Sequence, residues 1–333
     1  CHLEASGESE ETLFRTRAEH PQVQKEQKLM TVYPTKRALV IGDGSWGTAL
    51  SIILAKNEVP TTLWSAFPEQ TEDLTRHREN RPFLPGIALP DNLEFSADPE
   101  VACDGADLIV SVVPTQFLRG VARRFEEFLS DSVPIVSATK GLEIETMKSP
   151  TNILLEVLGK RDIGVLTGPS HAEEVARGMP ASVVSASESE ALAKQVQQAF
   201  NCPSLRVYTS KDRNGAELAA ALKNVIALAA GISDGLELGD NAKAALLTRG
   251  MVEMARYGQL HGADPSTFFG LAGVGDLITT ACSQHSRNRA VGERIGRGES
   301  LQDVLASMKM VAEGVWTTQA LFGPESDLGG EAS

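Results

Sequence analysis

The sequence predicts an α/β protein, with an N-terminal doubly wound sheet domain followed by an all-α C-terminal domain. As far as about residue 211, short apolar runs alternate with helical stretches, which is the pattern of a parallel sheet with helices on its faces. Beyond that point only helical patterns remain. The length of 333 residues also suits two domains, because single hydrophobic cores stop growing at about 250–300 residues.

Each strand of the predicted sheet is a short apolar run followed by a turn. Ala38–Ile41 is the first, and it stops at a glycine, as a buried parallel strand does. A helix is predicted from about Trp46 to Asn57. The further predicted strands are Thr61–Ser65, Leu108–Val113, Ile135–Ser137, Val165–Leu166 and Ser182–Val184. The helices predicted after residue 211 are Glu217–Gly231, Asn241–His261 and Leu301–Met308, with turns rich in glycine and aspartate between them.

The two ends of the chain differ in composition from the rest. Residues 1–35 are polar and acidic and contain no apolar core of a secretory signal, so we expect a disordered extension there. The first residue is Cys1 rather than Met, which suggests a fragment or a processed product. Residues 323–333 have the composition of a tail.

Charge and cysteine content argue against several classes of function. A net charge of −13 disfavours a nucleic-acid or anionic-membrane surface. The four cysteines, Cys1, Cys103, Cys202 and Cys282, form no CxxC pair, so we predict no metal site, no disulfide framework and a reducing, cytoplasmic location. No apolar run approaches the roughly 18–20 residues that span a bilayer, so no transmembrane segment is predicted.

Residues 42–47, Gly-Asp-Gly-Ser-Trp-Gly, fit the pattern GxGxxG between a predicted strand and a predicted helix. In such a loop Gly42 makes the tight turn, Gly44 lets the backbone approach a pyrophosphate, and Gly47 lets helix and strand pack closely. The pyrophosphate then lies at the helix N-terminus, where free N–H groups favour an anion. We therefore predict a Rossmann-like, dinucleotide-binding domain over residues 36–211; a purely structural glycine turn is the alternative.

Two positions leave the choice between NAD and NADP open. Asp43 places a carboxylate beside the expected pyrophosphate. At the end of the second strand, Ser65–Phe67 contains neither the acid that binds a ribose 2′-hydroxyl nor a base that would bind a 2′-phosphate. We therefore expect little discrimination between NADH and NADPH, unless a basic residue of Arg76–Arg78 reaches back to this point.

The predicted helix Glu217–Gly231 is apolar almost all round, which is typical of a buried helix. Inside it are only two polar side chains, Lys223 and Asn224. Burial lowers the pKa of a lysine toward neutrality, which suits a general acid and base. The alternative is that Lys223 lies at the helix edge and extends to solvent.

A second polar cluster follows a glycine-rich turn at residues 273–276. Asp276 can hold a lysine ammonium, and Thr279-Thr280 follow it. Arg287 has the planar guanidinium suited to a phosphate, and its neighbours Ser286 and Asn288 are polar. The alternative here is an arginine-rich, solvated turn between helices.

Two further segments follow predicted strands, where an α/β sheet presents its ligands. Thr139-Lys140-Gly141 comes after Ile135–Ser137, and Gly168–Glu173 comes after Val165–Leu166. Ser170 and Glu173 have the spacing of a capping box, so turn and cap chemistry is the plain interpretation of both segments. We interpret His171 as a residue at the start of a helix.

Six segments together resemble the bacterial-type NAD(P)-dependent glycerol-3-phosphate dehydrogenases. The resemblance covers roughly residues 37–320, and the longer segments are far more specific than GxGxxG. In chain order they are GDGSWGTAL, SATKGLE, GPSHAEEVARGMPASVV, KNVIALAAGISDGLELGDNAKAALLTRG, GLAGVGDLITTACSQHSRNR and VAEGVWTT.

The resemblance implies a reversible reduction of dihydroxyacetone phosphate to sn-glycerol 3-phosphate with NAD or NADP, which supplies the glycerophospholipid backbone. It implies that Lys223 is the catalytic proton donor and acceptor, and it suggests a homodimer. The implied substrate-binding residues are Lys140, Gly168, Ser170, Lys223, Asn224, Asp276, Thr280, Ser286, Arg287 and Asn288. The implied cofactor-binding residues are Gly42, Gly44, Ser45, Trp46, Gly47, Lys140, Ala172, Arg287, Val311 and Glu313.

The chain departs from the family pattern in three places. Asp43 replaces a small residue, and Ala66 lies where many bacterial members have a basic or histidine side chain. The family also continues for several helices beyond VAEGVWTT, so we expect the helical domain, residues 212–322, to be truncated at its C-terminus. A non-catalytic dinucleotide-binding protein and a related hydroxyacid or ketopantoate reductase remain the alternatives.

Overall fold

The computed structural model describes residues 34–308 and 311–323. The extension predicted over residues 1–35 lies outside them except for Pro34 and Thr35. Cys1 and the predicted tail beyond Gly323 lie outside them as well.

The centre of the fold is an eight-stranded sheet in the order β10-β9-β8-β7-β6-β1-β2-β5. Neighbouring strands are parallel except β8 and β9, which are antiparallel. The strands are β1 (Ala38–Ile41), β2 (Thr61–Trp64), β5 (Leu93–Ser96), β6 (Leu108–Ser111), β7 (Ile135–Ser137), β8 (Ile163–Thr167), β9 (Ala181–Ala186) and β10 (Leu205–Ser210). A separate antiparallel pair is formed by β3 (Glu79–Asn80) and β4 (Leu84–Ala88).

The order of the strands determines where a ligand can bind. From β1 the chain moves outward to β2 and β5, and then crosses to β6 on the other side of β1. In register, Ala38 lies between Thr61 of β2 and Leu108 of β6. Doubly wound sheets bind ligands at such a switch point, in the crevice beyond the carboxyl ends of the strands.

Helices cover both faces of the sheet and make up the rest of the fold. Those within the sheet region are α1 (Ser45–Lys56), α2 (Pro68–His77), α3 (Pro99–Cys103), α4 (Thr115–Arg123), α5 (Pro150–Leu158), α6 (Ala172–Ala176) and α7 (Glu190–Phe200). Those that follow are α8 (Arg213–Gly235), α9 (Gly239–Leu260), α10 (Asp276–Cys282), α11 (Arg287–Gly296), α12 (Leu301–Ala306) and α13 (Glu313–Phe322). A 3-10 turn (Pro265–Phe269) and a π-helical turn (Leu271–Gly275) precede α10.

Successive residues of β1 pack alternately into two apolar cores, one on each face of the sheet, because side chains alternate between the two faces along a strand. Val40 belongs to the core that includes α1 residues, and Leu39 to the core that includes Trp64 and Phe125. A third apolar core, which includes Leu222, Met254 and Phe268, lies mainly in the helical part.

The predicted α/β class with a following helical region is confirmed. Strands β1 and β7 have the predicted limits, whereas β6 ends at Ser111, two residues earlier than predicted. Strands β3, β4, β5 and β10 and several helices of the sheet region were not predicted. The last strand ends at Ser210 and α8 begins at Arg213, on either side of the domain limit predicted at residue 211. The limits of the domains themselves stay predictions.

The prediction for the glycine-rich segment of the helical part was wrong. The glycine-rich segment before Asp276 is a π-helical turn that continues directly into α10, not an open turn between helices. A Cβ on Gly273 would lie 2.0 Å from the carbonyl oxygen of Phe268, so the missing side chain lets two backbone segments meet. The segment after Ser286 is likewise the start of α11 and not a turn.

Helix α8 has the length and the mean hydropathy (1.4) of a membrane span. In this fold, however, 72% of that apolar window is buried inside the protein. An apolar helix covered in this way is what the core of a domain requires. This burial is also what brings Lys223 into the interior.

Candidate functional site

The GxGxxG loop joins β1 to α1 at the switch point of the sheet. Gly42 has φ 114°, which L side chains rarely adopt, and a Cβ there would lie 3.0 Å from the carbonyl oxygen of Val112. A Cβ on Gly47 would lie 1.9 Å from the carbonyl oxygen of Gly42. Both glycines are therefore required by the backbone itself.

The space beside Gly44, at the start of α1, is open. Space around a Cβ on Gly44 is empty to 4 Å, so the packing of the chain leaves room for a ligand to approach the backbone there. Ser45 is buried, and the indole Nε1 of Trp46 is buried with no partner within the described ranges. A helix N-terminus that is open to an anion and bordered by an unused donor fits a dinucleotide pyrophosphate.

The centre of the candidate site is a carboxylate shared by two lysines. Lys223 Nζ donates to Asp276 Oδ1 at 2.9 Å, and Lys140 Nζ donates to Asp276 Oδ2 at 2.8 Å. The three residues come from α8, from α10 and from the loop after β7. Lys223 is 5% exposed, which excludes the alternative that it extends to solvent.

Two further acceptors orient these ammonium groups. Thr280 Oγ1 accepts from Lys223 Nζ at 2.6 Å and donates its own proton to the Asp276 carbonyl at 2.7 Å. The carbonyl of Gly168 accepts from Lys140 Nζ at 3.0 Å. An ammonium has three N–H donors. Counted over the part of the chain that the structure describes, each lysine therefore keeps one N–H for a substrate oxygen.

The surroundings shift the pKa of both members of the central pair. Burial lowers the pKa of Lys223 to about 8, with Lys140 adding to the fall and Asp276 opposing it. Burial alone would raise the pKa of Asp276, but the ion pairs with Lys140 and Lys223 outweigh it and hold this pKa below its usual value. Lys223 can thus gain or lose a proton near neutrality while Asp276 stays charged.

A series of hydrogen bonds between amide groups connects three helices to the loop that carries Lys140. Gly314 N donates to Asn288 Oδ1 at 2.9 Å, and Asn288 Nδ2 donates to Asn224 Oδ1 at 2.9 Å. Asn224 Nδ2 in turn donates to the carbonyl of Lys140 at 3.1 Å. In this conformation the predicted substrate residues Asn224 and Asn288 link α13, α11 and α8 to the lysine loop.

Arg287 lies at the exposed start of α11. Its Nη1 donates to the carbonyl of Val311 at 2.8 Å, which leaves its other N–H groups for an anion. The neighbouring Ser286 is the N-cap of α11, and its hydroxyl accepts from Arg289 N at 3.2 Å. Within the described residues, Arg287 therefore keeps most of its N–H donors for an anion.

The loop after β8 reaches the lysine pair through Gly168, whose φ is 142°. The capping box predicted from Ser170 and Glu173 is wrong: helix α6 has His171 as its N-cap, and Ser170 Oγ donates to the Gly168 carbonyl at 3.0 Å. His171 does start the helix, as predicted, and Ala172 is its buried first residue.

Glu313, predicted as a cofactor contact, caps a helix of the sheet region. Its Oε1 accepts from Thr115 N, the first residue of α4, at 2.9 Å. Burial raises the pKa of Glu313 to about 7, although the Thr115 N–H and the charge of Arg287 act in the other direction. Its Oε2 and the hydroxyl of Thr115 are both buried, and hydrogen bonding by the Thr115 side chain also opposes the rise in the pKa of Glu313. A Cβ on Gly141 would lie 2.5 Å from both atoms.

Thr115 is a residue of this site that sequence reasoning missed. It follows β6, the strand next to β1 at the switch point. That position, at the carboxyl end of a central strand, was the available indication. The hydroxyl of Thr115 and Glu313 Oε2 both border the loop at Gly141.

Both halves of the chain match models of one family. Residues 37–193 match the N-terminus of the NAD-dependent glycerol-3-phosphate dehydrogenases, and residues 212–326 match their C-terminus. A glycerol-3-phosphate dehydrogenase (NAD(P)+) of Chlorobium limicola is 48% identical over 286 residues, 85% of this chain and 86% of that protein. A glycerol-3-phosphate dehydrogenase (NAD(P)+) of Geobacter sulfurreducens is 47% identical over 291 residues, 86% of this chain and 87% of that protein.

Solved structures give the same result. The fold matches glycerol-3-phosphate dehydrogenase from Coxiella burnetii with a TM-score of 0.83 and 34% identity, over 86% of this chain and 88% of that one. It matches the yeast glycerol-3-phosphate dehydrogenase GPD1 with a TM-score of 0.75 and 28% identity, over 87% and 90% of the two chains.

Proposed function

The chain belongs to the NAD-dependent glycerol-3-phosphate dehydrogenase family, and from this premise we propose that Lys223 is the proton donor and acceptor of its reaction. The enzyme reduces dihydroxyacetone phosphate to sn-glycerol 3-phosphate with NAD or NADP. The observation that supports the role of Lys223 is its buried pairing with Asp276 and Thr280. These contacts leave one N–H for a substrate carbonyl.

In the reductive direction, the Lys223 ammonium donates a proton to the substrate carbonyl oxygen. When bound, the reduced nicotinamide supplies the hydride that the carbonyl carbon accepts. Asp276 holds Lys223 in place, and Lys140 adds positive charge beside the oxygen on which negative charge develops. Lys223 is left as a neutral amine and takes a proton from solvent. In the oxidative direction the neutral amine is the base.

Arg287 is proposed to bind the substrate phosphate, because its free N–H groups stand at the start of α11 near the amide chain of Asn288 and Asn224. A guanidinium matches a phosphate in geometry as well as in charge. In the nucleotide site, the loop at Gly44 and the first turn of α1 would hold the pyrophosphate. Glu313, Thr115 and Val311 lie beside the same crevice.

The decisive experiment is an assay of dihydroxyacetone phosphate reduction, following the absorbance of NADH and of NADPH in separate reactions. We expect turnover with the phosphorylated substrate and much slower turnover with dihydroxyacetone. Binding of either cofactor without turnover would instead identify a non-catalytic dinucleotide-binding protein. Turnover of 2-keto acids in place of dihydroxyacetone phosphate would identify a hydroxyacid dehydrogenase.

A homodimer and a cytoplasmic location are further proposals. The homodimer is implied by the family resemblance, and the location by the sparse, unpaired cysteines. Among the described residues, Cys103, Cys202 and Cys282 are free thiols. Sedimentation of the purified protein at several concentrations tests the homodimer, since a monomer throughout would contradict it.

A further inference from the structure

The side chain of Asp43, in the loop after β1, points to the end of β2. Its Oδ2 accepts a hydrogen bond from Ser65 Oγ at 2.9 Å, and Ser65 is the residue that follows β2. Asp43 is 8% exposed and Ser65 is fully buried. An acid from the glycine loop thus stands at the strand end where Ser65–Phe67 has no acid of its own.

The backbone of Asp43 is held firmly in this position. Asn80 Nδ2 donates to the Asp43 carbonyl at 2.7 Å and to Thr48 Oγ1 at 2.7 Å. Asn80 is fully buried, so solvent does not compete for these bonds. The carboxylate is therefore positioned before any ligand arrives.

Arg76–Arg78, the segment from which a base could have reached back to this strand end, has two of its basic side chains in other contacts. Arg78 donates to two backbone carbonyls near the start of β5 and stacks on Phe95, 4.8 Å from the ring centre. His77 lies 3.0 Å from the carboxylate of Asp73, and Arg76 is exposed on the last turn of α2. At the end of β2 the structure places the acid Asp43 on Ser65, while the guanidinium of Arg124 stacks on the ring of Trp64, 4.6 Å from its centre.

We propose that Asp43 selects NAD(H) over NADP(H) by distinguishing a 2′-hydroxyl from a 2′-phosphate on the adenosine ribose. In doubly wound folds the end of the second strand lies beside that ribose, and an acid there accepts from its 2′-hydroxyl. The same carboxylate repels a 2′-phosphate. This inference rests on the proposed function for the cofactor class, and it departs from the weak discrimination that Ser65–Phe67 alone predicts.

The charge of Asp43 is governed by two opposing effects. Burial raises the pKa of its carboxyl above the usual value, and hydrogen bonds from Ser65 and from the backbone of Asp43 itself offset only part of that rise. A carboxylate that is hydrogen-bonded on one oxygen still has its second oxygen for a ribose hydroxyl.

The test is calorimetric titration of the protein, without substrate, with NADH and NADPH and then with 5′-AMP and 2′,5′-ADP. The two smaller ligands isolate the ribose end from the nicotinamide. We expect the wild-type Kd for NADPH to exceed that for NADH by about a hundredfold. In Asp43→Asn, which keeps the shape and an acceptor for Ser65, the ratio should fall below about tenfold.

Two control variants separate charge at the ribose from general effects. Ser65→Ala keeps the acid and should keep the preference for NADH. Glu69→Gln removes an exposed acid from the first turn of α2 and should leave the ratio unchanged. A wild-type ratio near one, or an unchanged ratio in folded Asp43→Asn, would overturn the inference. Because the readout is binding alone, a protein that fails to reduce dihydroxyacetone phosphate does not affect this result.

Discussion

Lys223 and Asp276 form an ion pair with an N–O distance of 2.9 Å inside the protein, and their side chains are 6% and 3% exposed. A buried charge without a partner is strongly destabilising, so removing Asp276 would leave Lys223 without its ion-pair partner. Asp276 has a second partner in Lys140. When Lys223 gives up its proton, the carboxylate therefore keeps a cation, and the trio passes from a net charge of +1 to neutral.

Replacing Lys223 by Met should lower kcat by at least ~10²-fold, because the developing alkoxide loses its proton donor. Lys223→Arg should be equally slow, since a guanidinium keeps the charge but does not release a proton at neutral pH. Cofactor binding, followed by nicotinamide fluorescence, should change little in either variant. Near-normal turnover of the Met variant would exclude Lys223 as the catalyst.

The pH dependence should have opposite signs in the two directions. The pKa of Lys223 is lowered to about 8 in the free enzyme, and reduction requires its ammonium form. We therefore expect kcat/KM for reduction to fall as the pH rises through about 8, and kcat/KM for oxidation to rise over the same interval. Steady-state rates in both directions check this, and parallel profiles would contradict it.

The two charged neighbours of Lys223 should move that profile in opposite directions. Asp276 raises the pKa of Lys223 and Lys140 lowers it. Asp276→Asn should therefore shift the falling limb of the reductive profile to lower pH, and Lys140→Met should shift it to higher pH, by on the order of one unit each. A loss of activity with an unmoved profile would mean that these residues act only through folding.

Arg287→Ala should cost about 3 kcal/mol in kcat/KM for dihydroxyacetone phosphate, on the order of a hundredfold, because the phosphate loses its guanidinium partner. Activity on dihydroxyacetone, relative to wild type, should change much less. Arg297→Ala, at the other end of the same helix, is the matched control and should be close to wild type. Equal losses on both substrates would show that Arg287 acts through folding or cofactor binding.

Glu217 should affect stability and not chemistry. Its Oε1 accepts from Thr151 N at 2.8 Å and its Oε2 from Thr151 Oγ1 at 2.5 Å, at the start of α5, and the residue is 2% exposed. Glu217→Ala should lower the free energy of unfolding by about 1–3 kcal/mol, because two buried donors lose their acceptor. Denaturant unfolding measures this, and an unchanged midpoint would contradict it.

Burial raises the pKa of Glu217 in the folded state. A raised carboxyl pKa means that the folded state binds the proton more tightly, so the contribution is present below the unfolded pKa and is lost as the pH rises through the folded pKa. Glu217→Gln lacks this ionisation. The stability of the wild type relative to Glu217→Gln should therefore decrease as the pH is raised from acid to neutral, as thermal unfolding would record.

Features that depend on neighbours in sequence could be predicted. The glycines at 42 and 47, the limits of β1 and the burial of Lys223 each follow from a local pattern of apolar residues or glycines. The sequence also indicated that Asp276, which follows a glycine-rich segment, can hold a lysine ammonium. In the structure that lysine is Lys223. The roles of these residues stay predictions until they are measured.

Features that depend on distant neighbours could not be predicted. Thr115 and Glu313 are 198 residues apart, and no local pattern relates them. The spacing of Ser170 and Glu173 matched a capping box, but the Ser170 hydroxyl donates instead to the carbonyl of Gly168, on the preceding turn. A carboxylate at Asp43 was unexpected beside a pyrophosphate, because its hydrogen-bond partner, Ser65, follows a different strand of the sheet.

Glu217 and Glu313 have a joint consequence for phosphate recognition. Each is a carboxylate from the helical part of the chain that accepts an N–H at the start of a helix beside the sheet, α5 in one case and α4 in the other. At the start of α1, by contrast, no side chain of the described residues accepts from the first-turn N–H groups. Two helix starts beside the sheet are thus already occupied by carboxylates of the chain itself, whereas the start of α1 keeps its N–H groups for a diphosphate.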